Sequence, residues 1–228
     1  MKKKYIFSFS ITAFLLVAFI IFTVIVATVD RASIGPNDTI VGLSTLNSKV
    51  FNSLGTSKVW SRMTDALAIF AICVAGIFAV YGLTQWIKVK KIKNLDYKIW
   101  LLGLFYILVA IVYVIFQLIV INYRPTMFDE VPEVSYPSTH TMVVISIMGT
   151  SMVILPHIIK NKPILYSLDT LAMLVMYFMA MGRLLAGVHW LTDILGGIIL
   201  GSFMIMLYYS VVQYIEYRKY IKSNIKNI

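Results

Sequence analysis

A chain of 228 residues with 60% hydrophobic and only 13% charged side chains cannot coat a water-soluble globule, in which charged residues usually make up about a quarter. A mean hydropathy of +0.85 likewise excludes an ordinary soluble domain and leaves the bilayer as the solvent that fits. The single Cys73, set in an apolar run, excludes a disulfide framework and a cysteine metal site, and the net charge of +10 has to be judged by where the charges fall.

In chain order, Lys2, Lys3 and Lys4 lead into an apolar run from Tyr5 to Thr28. That run exceeds the ~7–15 apolar residues of a cleaved signal and ends without a small-residue cleavage site, so it reads as a retained first span. The polar stretch 30–65 follows. Its early part, Ala32–Asp38 with Gly35-Pro36, reads as loop. From Thr45 to Arg62 the apolar residues Leu46, Val50, Leu54, Val59 and Trp60 recur at roughly helical spacing. Gly55 interrupts them, which predicts an interfacial amphipathic helix or two short pieces. Five further runs are each near the ~20 residues needed to cross the hydrocarbon: Ala66–Ile87, Ile99–Ile121, Met142–Ile159, Ile164–Leu185 and Leu191–Tyr214. Lipid leaves backbone groups no outside partner, so each must be helical, and the alternating segments of a barrel are absent. The expectation is an all-α polytopic membrane protein, one domain over 1–228 with six transmembrane helices.

Fourteen of the 20 Lys and Arg residues fall on one side of these spans: the N-terminus, Lys88 to Lys98, Lys160 and Lys162, and the tail with Arg218, Lys219, Lys222 and Lys226. The other side carries six. The positive-inside rule then places both termini in the cytoplasm and the 30–65 loop outside. The basic excess serves topology and attraction to anionic headgroups, with no nucleic-acid partner.

Ionisable groups at membrane helix ends are costly and mark function by default. Here they cluster at the outer ends of spans three to six: Asn122-Tyr123-Arg124-Pro125, Tyr136-Pro137-Ser138-Thr139-His140, Gly182-Arg183, and His189 with Asp193. Two arginines suit a phosphate ester, since the guanidinium fork binds its oxygens bidentately. Ser138 precedes a helix start, where its hydroxyl and the N–H groups of Thr139 and His140 face an anion along the helix dipole. His189 and Asp193 are four apart, so the carboxylate can hold one imidazole nitrogen protonated and leave the other as nucleophile, with His140 as general acid. Singly, each piece has a blander reading: an Arg-Pro stop signal, an interfacial histidine, a structural His–Asp hydrogen bond or half a metal site.

Their order and spacing resemble the type 2 phosphatidic acid phosphatase (PAP2) superfamily, whose motifs are Lys-x6-Arg-Pro, Pro-Ser-Gly-His and Ser-Arg-x5-His-x3-Asp. Here they read Gln117-x6-Arg124-Pro125, Pro137-Ser138-Thr139-His140 and Gly182-Arg183-x5-His189-x3-Asp193, a core of residues 117–193. The resemblance implies a metal-independent phosphatase without cofactor, working through a phosphohistidine on His189. Asp193 would orient it and His140 would be the acid that later activates water. Arg124, Arg183, Ser138, Thr139 and Gln117 would hold the phosphate. Gln117 stands where the family has lysine, Thr139 where it has glycine and Gly182 where it has serine. Losing a charge-assisted contact at Gln117 costs ~1.5–3 kcal/mol of phosphate binding, and Lys49 or Lys58 on the outer loop is a candidate to restore the charge. The expected substrate is a lipid phosphate from the outer leaflet, such as undecaprenyl pyrophosphate, phosphatidylglycerol phosphate or phosphatidic acid. The expected location is the plasma membrane of a bacterium, at the cell envelope. The alternatives are a catalytically weakened protein that binds lipid phosphate and, from another class, a transporter. A transporter predicts mid-span charges or broken half-helices; Asp169, the nearest case, sits near the inner end of its span.

Overall fold

The computed structural model describes residues 2–89, 96–127 and 131–225. Seven helices form within them: α1 (Lys2–Thr28), α2 (Ser44–Leu54), α3 (Lys58–Val89), α4 (Tyr97–Leu118), α5 (Thr139–Ile158), α6 (Lys162–Leu185) and α7 (Leu191–Ile225). All but α2 are long and apolar enough to cross a membrane, so the six-span, all-α architecture holds. Tyr5 of α1 packs its ring on Tyr214 and Tyr217 of α7, which puts both chain ends at the same end of the bundle. Of the basic residues counted above, Lys90, Lys91, Lys93 and Lys226 lie outside the described residues.

Local chemistry explains most boundaries. Asp96 caps α4 by accepting from the Lys98 N–H at 3.0 Å, and Asn161 caps α6 by accepting from the Ile164 N–H at 3.2 Å. Gly55, at φ +68°, ends α2 as the sequence predicts. The second half of the predicted amphipathic stretch is continuous with span two, since α3 starts at Lys58. Span three stops at Leu118 instead of Ile121, because the chain leaves the helix there for the loop that carries Arg124. A two-stranded ribbon, β1 (Ala32–Ser33) with β2 (Ile40–Val41), closes the first loop.

Helix α5 lies at the centre, packed against α3, α4, α6 and α7, with twelve of its 20 residues buried. The other spans turn large apolar side chains outward, which only lipid can solvate. In that solvent, close packing holds helices together. A Cβ on Gly197 would lie 2.6 Å from the Ser138 carbonyl oxygen, and one on Gly201 would lie 2.8 Å from Ile145, so this small-residue pair seats α7 directly on α5. A buried hydrogen bond of 2.9 Å between Thr12 and Ser210 ties α1 to α7, a link worth about 0.6 kcal/mol in a membrane.

Candidate active site

The site lies at the end of the bundle away from the chain termini, where α5 and α7 begin and α6 ends. Arg124 reaches it from a short antiparallel ladder. Tyr123 pairs with Val134, the Arg124 N–H donates to the Glu133 carbonyl at 2.9 Å, and the Ser135 N–H donates to the Asn122 carbonyl at 2.9 Å. Trp190 Nε1 donates to the Tyr123 carbonyl at 2.7 Å and Thr126 Oγ1 to the Gly187 carbonyl at 3.2 Å, which locks this ladder to the turn before α7. Arg124 is therefore held by tertiary contacts and does not end a helix.

His189 sits in that turn, ahead of α7. Asp193, at the third position of the helix, accepts from the Trp190 N–H at 2.9 Å, the carboxylate half of a capping box. The same oxygen lies 3.6 Å from His189 Nδ1, so the pair four residues apart is joined across the helix start and not along one helical face. Asn122 Nδ2 donates to the other Asp193 oxygen at 3.3 Å. The Ser138 N–H donates to the Asp193 carbonyl at 2.8 Å, bringing the start of α5 against the start of α7.

Ser138 is the residue before α5, fully buried, with its hydroxyl 2.9 Å from that of Thr141. His140 follows in the first turn. Gln117, exposed on the last turn of α4, points its amide at the Thr139 hydroxyl at 3.4 Å. Arg183 is buried at the end of α6, with Nη1 donating to Asp65 at 3.0 Å and to Thr64 at 3.3 Å. His140 and His189 lie within electrostatic reach of each other, and both lie within reach of Arg124 and Arg183. Four segments distant in sequence thus converge, and every candidate site residue is at this end of the bundle. Lys49 and Lys58 are exposed, and among the described residues neither bonds to a site residue.

The electrostatics favour a neutral His189. Burial, then the charges of Arg124 and Arg183, hold its imidazole pKa well below the ordinary 6.5. Among the described residues, several buried polar atoms here make no well-formed hydrogen bond: His140 Nδ1, both nitrogens of His189 and Arg183 Nε. Below them an apolar cavity of about 420 Å³ runs between α3, α4 and α5, with His140 and Thr139 at one end and Ile72, Val109, Val143 and Ile147 along its walls.

The acidic partners of the two arginines escaped the sequence reading. Glu133 Oε2 lies 3.1 Å from Arg124 Nε, and Asp65 salt-bridges Arg183. Asn47 escaped it too. This fully buried residue of α2 accepts from the Thr192 N–H at 3.2 Å and donates to the Thr192 hydroxyl at 2.9 Å, capping α7 from outside.

The PAP2 superfamily profile matches residues 98–217, 120 of the 228. No curated protein matches the sequence. Among solved structures, the fold is similar to that of a transmembrane PAP2-type phosphatidylglycerolphosphate phosphatase from Bacillus subtilis. The TM-score is 0.63 at 14% identity, over 90% of this chain and 96% of that one.

Proposed function

Because the chain belongs to the PAP2 superfamily and shares the fold of a transmembrane phosphatase, we propose that it is a membrane lipid phosphatase working through a phosphohistidine on His189. The observation that carries this reading is the convergence of His140, His189 and Arg183, where buried His140 Nδ1 and Arg183 Nε have no hydrogen-bond partner among the described residues. Leaving such groups unsatisfied costs about 1–3 kcal/mol each, so their convergence supports anion binding here.

In this reading Arg124 and Arg183 neutralise the phosphate, assisted by the α5 N-terminus at Ser138 and Thr139. Asp193 holds the Nδ1–H of His189, and the free Nε2 attacks phosphorus. A P–N bond forms, the P–O bond to the lipid breaks, and His140 gives its proton to the leaving oxygen. His140 then takes a proton from water, which attacks phosphorus. The P–N bond breaks and inorganic phosphate leaves. Guanidinium groups supply the positive charge that a metal supplies elsewhere, which supports a metal-independent route. The apolar cavity beneath His140 supports a substrate with a hydrocarbon tail that enters sideways from the bilayer. Undecaprenyl pyrophosphate, phosphatidylglycerol phosphate and phosphatidic acid all meet these requirements, and the site faces the outer leaflet of the plasma membrane.

The test is phosphate release from these three lipids by purified protein with chelator present, beside His189→Ala. Release lost in the variant, with an acid-labile and alkali-stable phosphate label on the wild-type chain, supports the reading. Folded protein that releases nothing from any of them overturns it in favour of a lipid-phosphate-binding role.

A further inference from the structure

Gly182 stands where the third motif carries serine, and the packing around it explains why. A Cβ on Gly182 would lie 2.5 Å from Thr64 Cγ2 and 3.2 Å from the Trp60 ring, so α3 closes on α6 across the space a serine would need. The hydroxyl on that side now belongs to Thr64. Its proton is directed at the carbonyls of Trp60 and Ser61, at 3.0 and 2.8 Å, and the oxygen accepts from Arg183 Nη1 at 3.3 Å. The next residue, Asp65, accepts from the same Nη1 at 3.0 Å. Nη1 is therefore held twice, whereas Nε on the opposite side of the guanidinium is buried with no partner among the described residues.

A guanidinium only 3% exposed is costly without a counter-charge, and Arg124, another cation, lies within electrostatic reach. Asp65 supplies that counter-charge from the rim, with its own side chain 54% exposed. An arginine fork binds phosphate with two parallel N–H groups, so fixing the Nη1 side presents the Nε edge at a set angle.

We propose that Thr64 and Asp65 of α3, which precede the matched residues 98–217, are positioning residues for the phosphate-binding Arg183, with the Thr64 hydroxyl in place of the serine that Gly182 lacks. The proposal rests on the phosphatase reading of the site. Neither residue touches the phosphate; both act by holding the guanidinium.

The experiment compares wild type with Asp65→Asn, Thr64→Ala and the double variant Thr64→Ala/Gly182→Ser, all purified in detergent and normalised to folded protein. It measures kcat/KM on undecaprenyl pyrophosphate and the inhibition constant of orthovanadate, which mimics the phosphate in flight. Each single variant is expected to lower kcat/KM by on the order of tenfold, about 1.4 kcal/mol. The vanadate constant is expected to rise by a similar factor. Thr64→Ala removes the methyl group that blocks a side chain at 182, so serine there should recover most of the loss. Two results overturn the proposal while the phosphatase reading stands: single variants within twofold of wild type, or lowered turnover with unchanged vanadate inhibition. A wild type that neither releases phosphate nor responds to vanadate overturns both readings.

Discussion

At the scale of single residues, the proposed chemistry depends on His189 staying neutral with its Nδ1 edge turned to Asp193. Burial and two guanidiniums depress the His189 pKa, so the imidazole remains unprotonated as pH falls through 6.5. The acid limb that His189 contributes to kcat/KM is therefore expected well below pH 6.5, in a profile measured with a substrate whose own ionisation is complete by that pH. The same shift enters stability with a definite sign. Unfolded His189 takes up a proton near pH 6.5 and folded His189 does not, so this contribution is full above pH 6.5 and is lost as pH falls toward the folded value. Asp193→Asn should lower kcat by on the order of 10²–10⁴-fold, since the amide no longer favours the Nδ1–H tautomer. Gln117→Lys should raise kcat/KM, because an ammonium beside Thr139 adds charge at the start of α5; an unchanged value would mean that Gln117 is too far from the phosphate. The motif residues were legible from type and spacing alone. Thr64, Asp65 and Glu133 were not, because isolated acids and hydroxyls acquire meaning only when folding sets them against an arginine.

At the scale of elements, α2 acts as a clamp on the active-site helix. Asp30 anchors its start, accepting from the Thr45 N–H at 2.8 Å and the Ser44 hydroxyl at 3.0 Å. These bonds, the backbone one first, lower the Asp30 pKa below 3.8, so the anchor is intact above that pH and loosens as pH falls through the folded value. Asn47 then caps α7 at Thr192, while Phe51 packs on Trp190 with ring centroids 5.5 Å apart. Asn47→Ala leaves the Thr192 N–H buried and unpaired. The expected cost is ~1–3 kcal/mol, read as a lower Tm in detergent, together with reduced turnover as the His189 turn loosens. By contrast, Lys49→Ala on α2 and Lys58→Ala at the start of α3 should leave KM and turnover unchanged, since both side chains are exposed. Hydrophobic periodicity made α2 and its Gly55 break legible. Its purpose was hidden, because an asparagine 145 residues from its partner carries no local signal.

At the scale of the whole molecule, the distribution of charge governs how the bundle sits in the membrane. Of the six basic residues at the site-bearing end, Arg124 and Arg183 are paired with Glu133 and Asp65. At the other end Lys98 pairs with Glu216 at 2.6 Å, but Lys2, Lys3, Lys4, Lys219 and Lys222 lie toward the ends of α1 and α7, where attraction to an anionic leaflet would be ~1 kcal/mol per residue. The proposed orientation, site outside and termini inside, has a direct check. Cys73 is the sole cysteine, so a Cys73→Ala background carries no thiol. In intact cells a membrane-impermeant maleimide should label Lys49→Cys, while Lys219→Cys should react only after permeabilisation. The opposite pattern would turn the site toward the cytoplasm, and the lipid supplying its phosphate would then have to come from the inner leaflet.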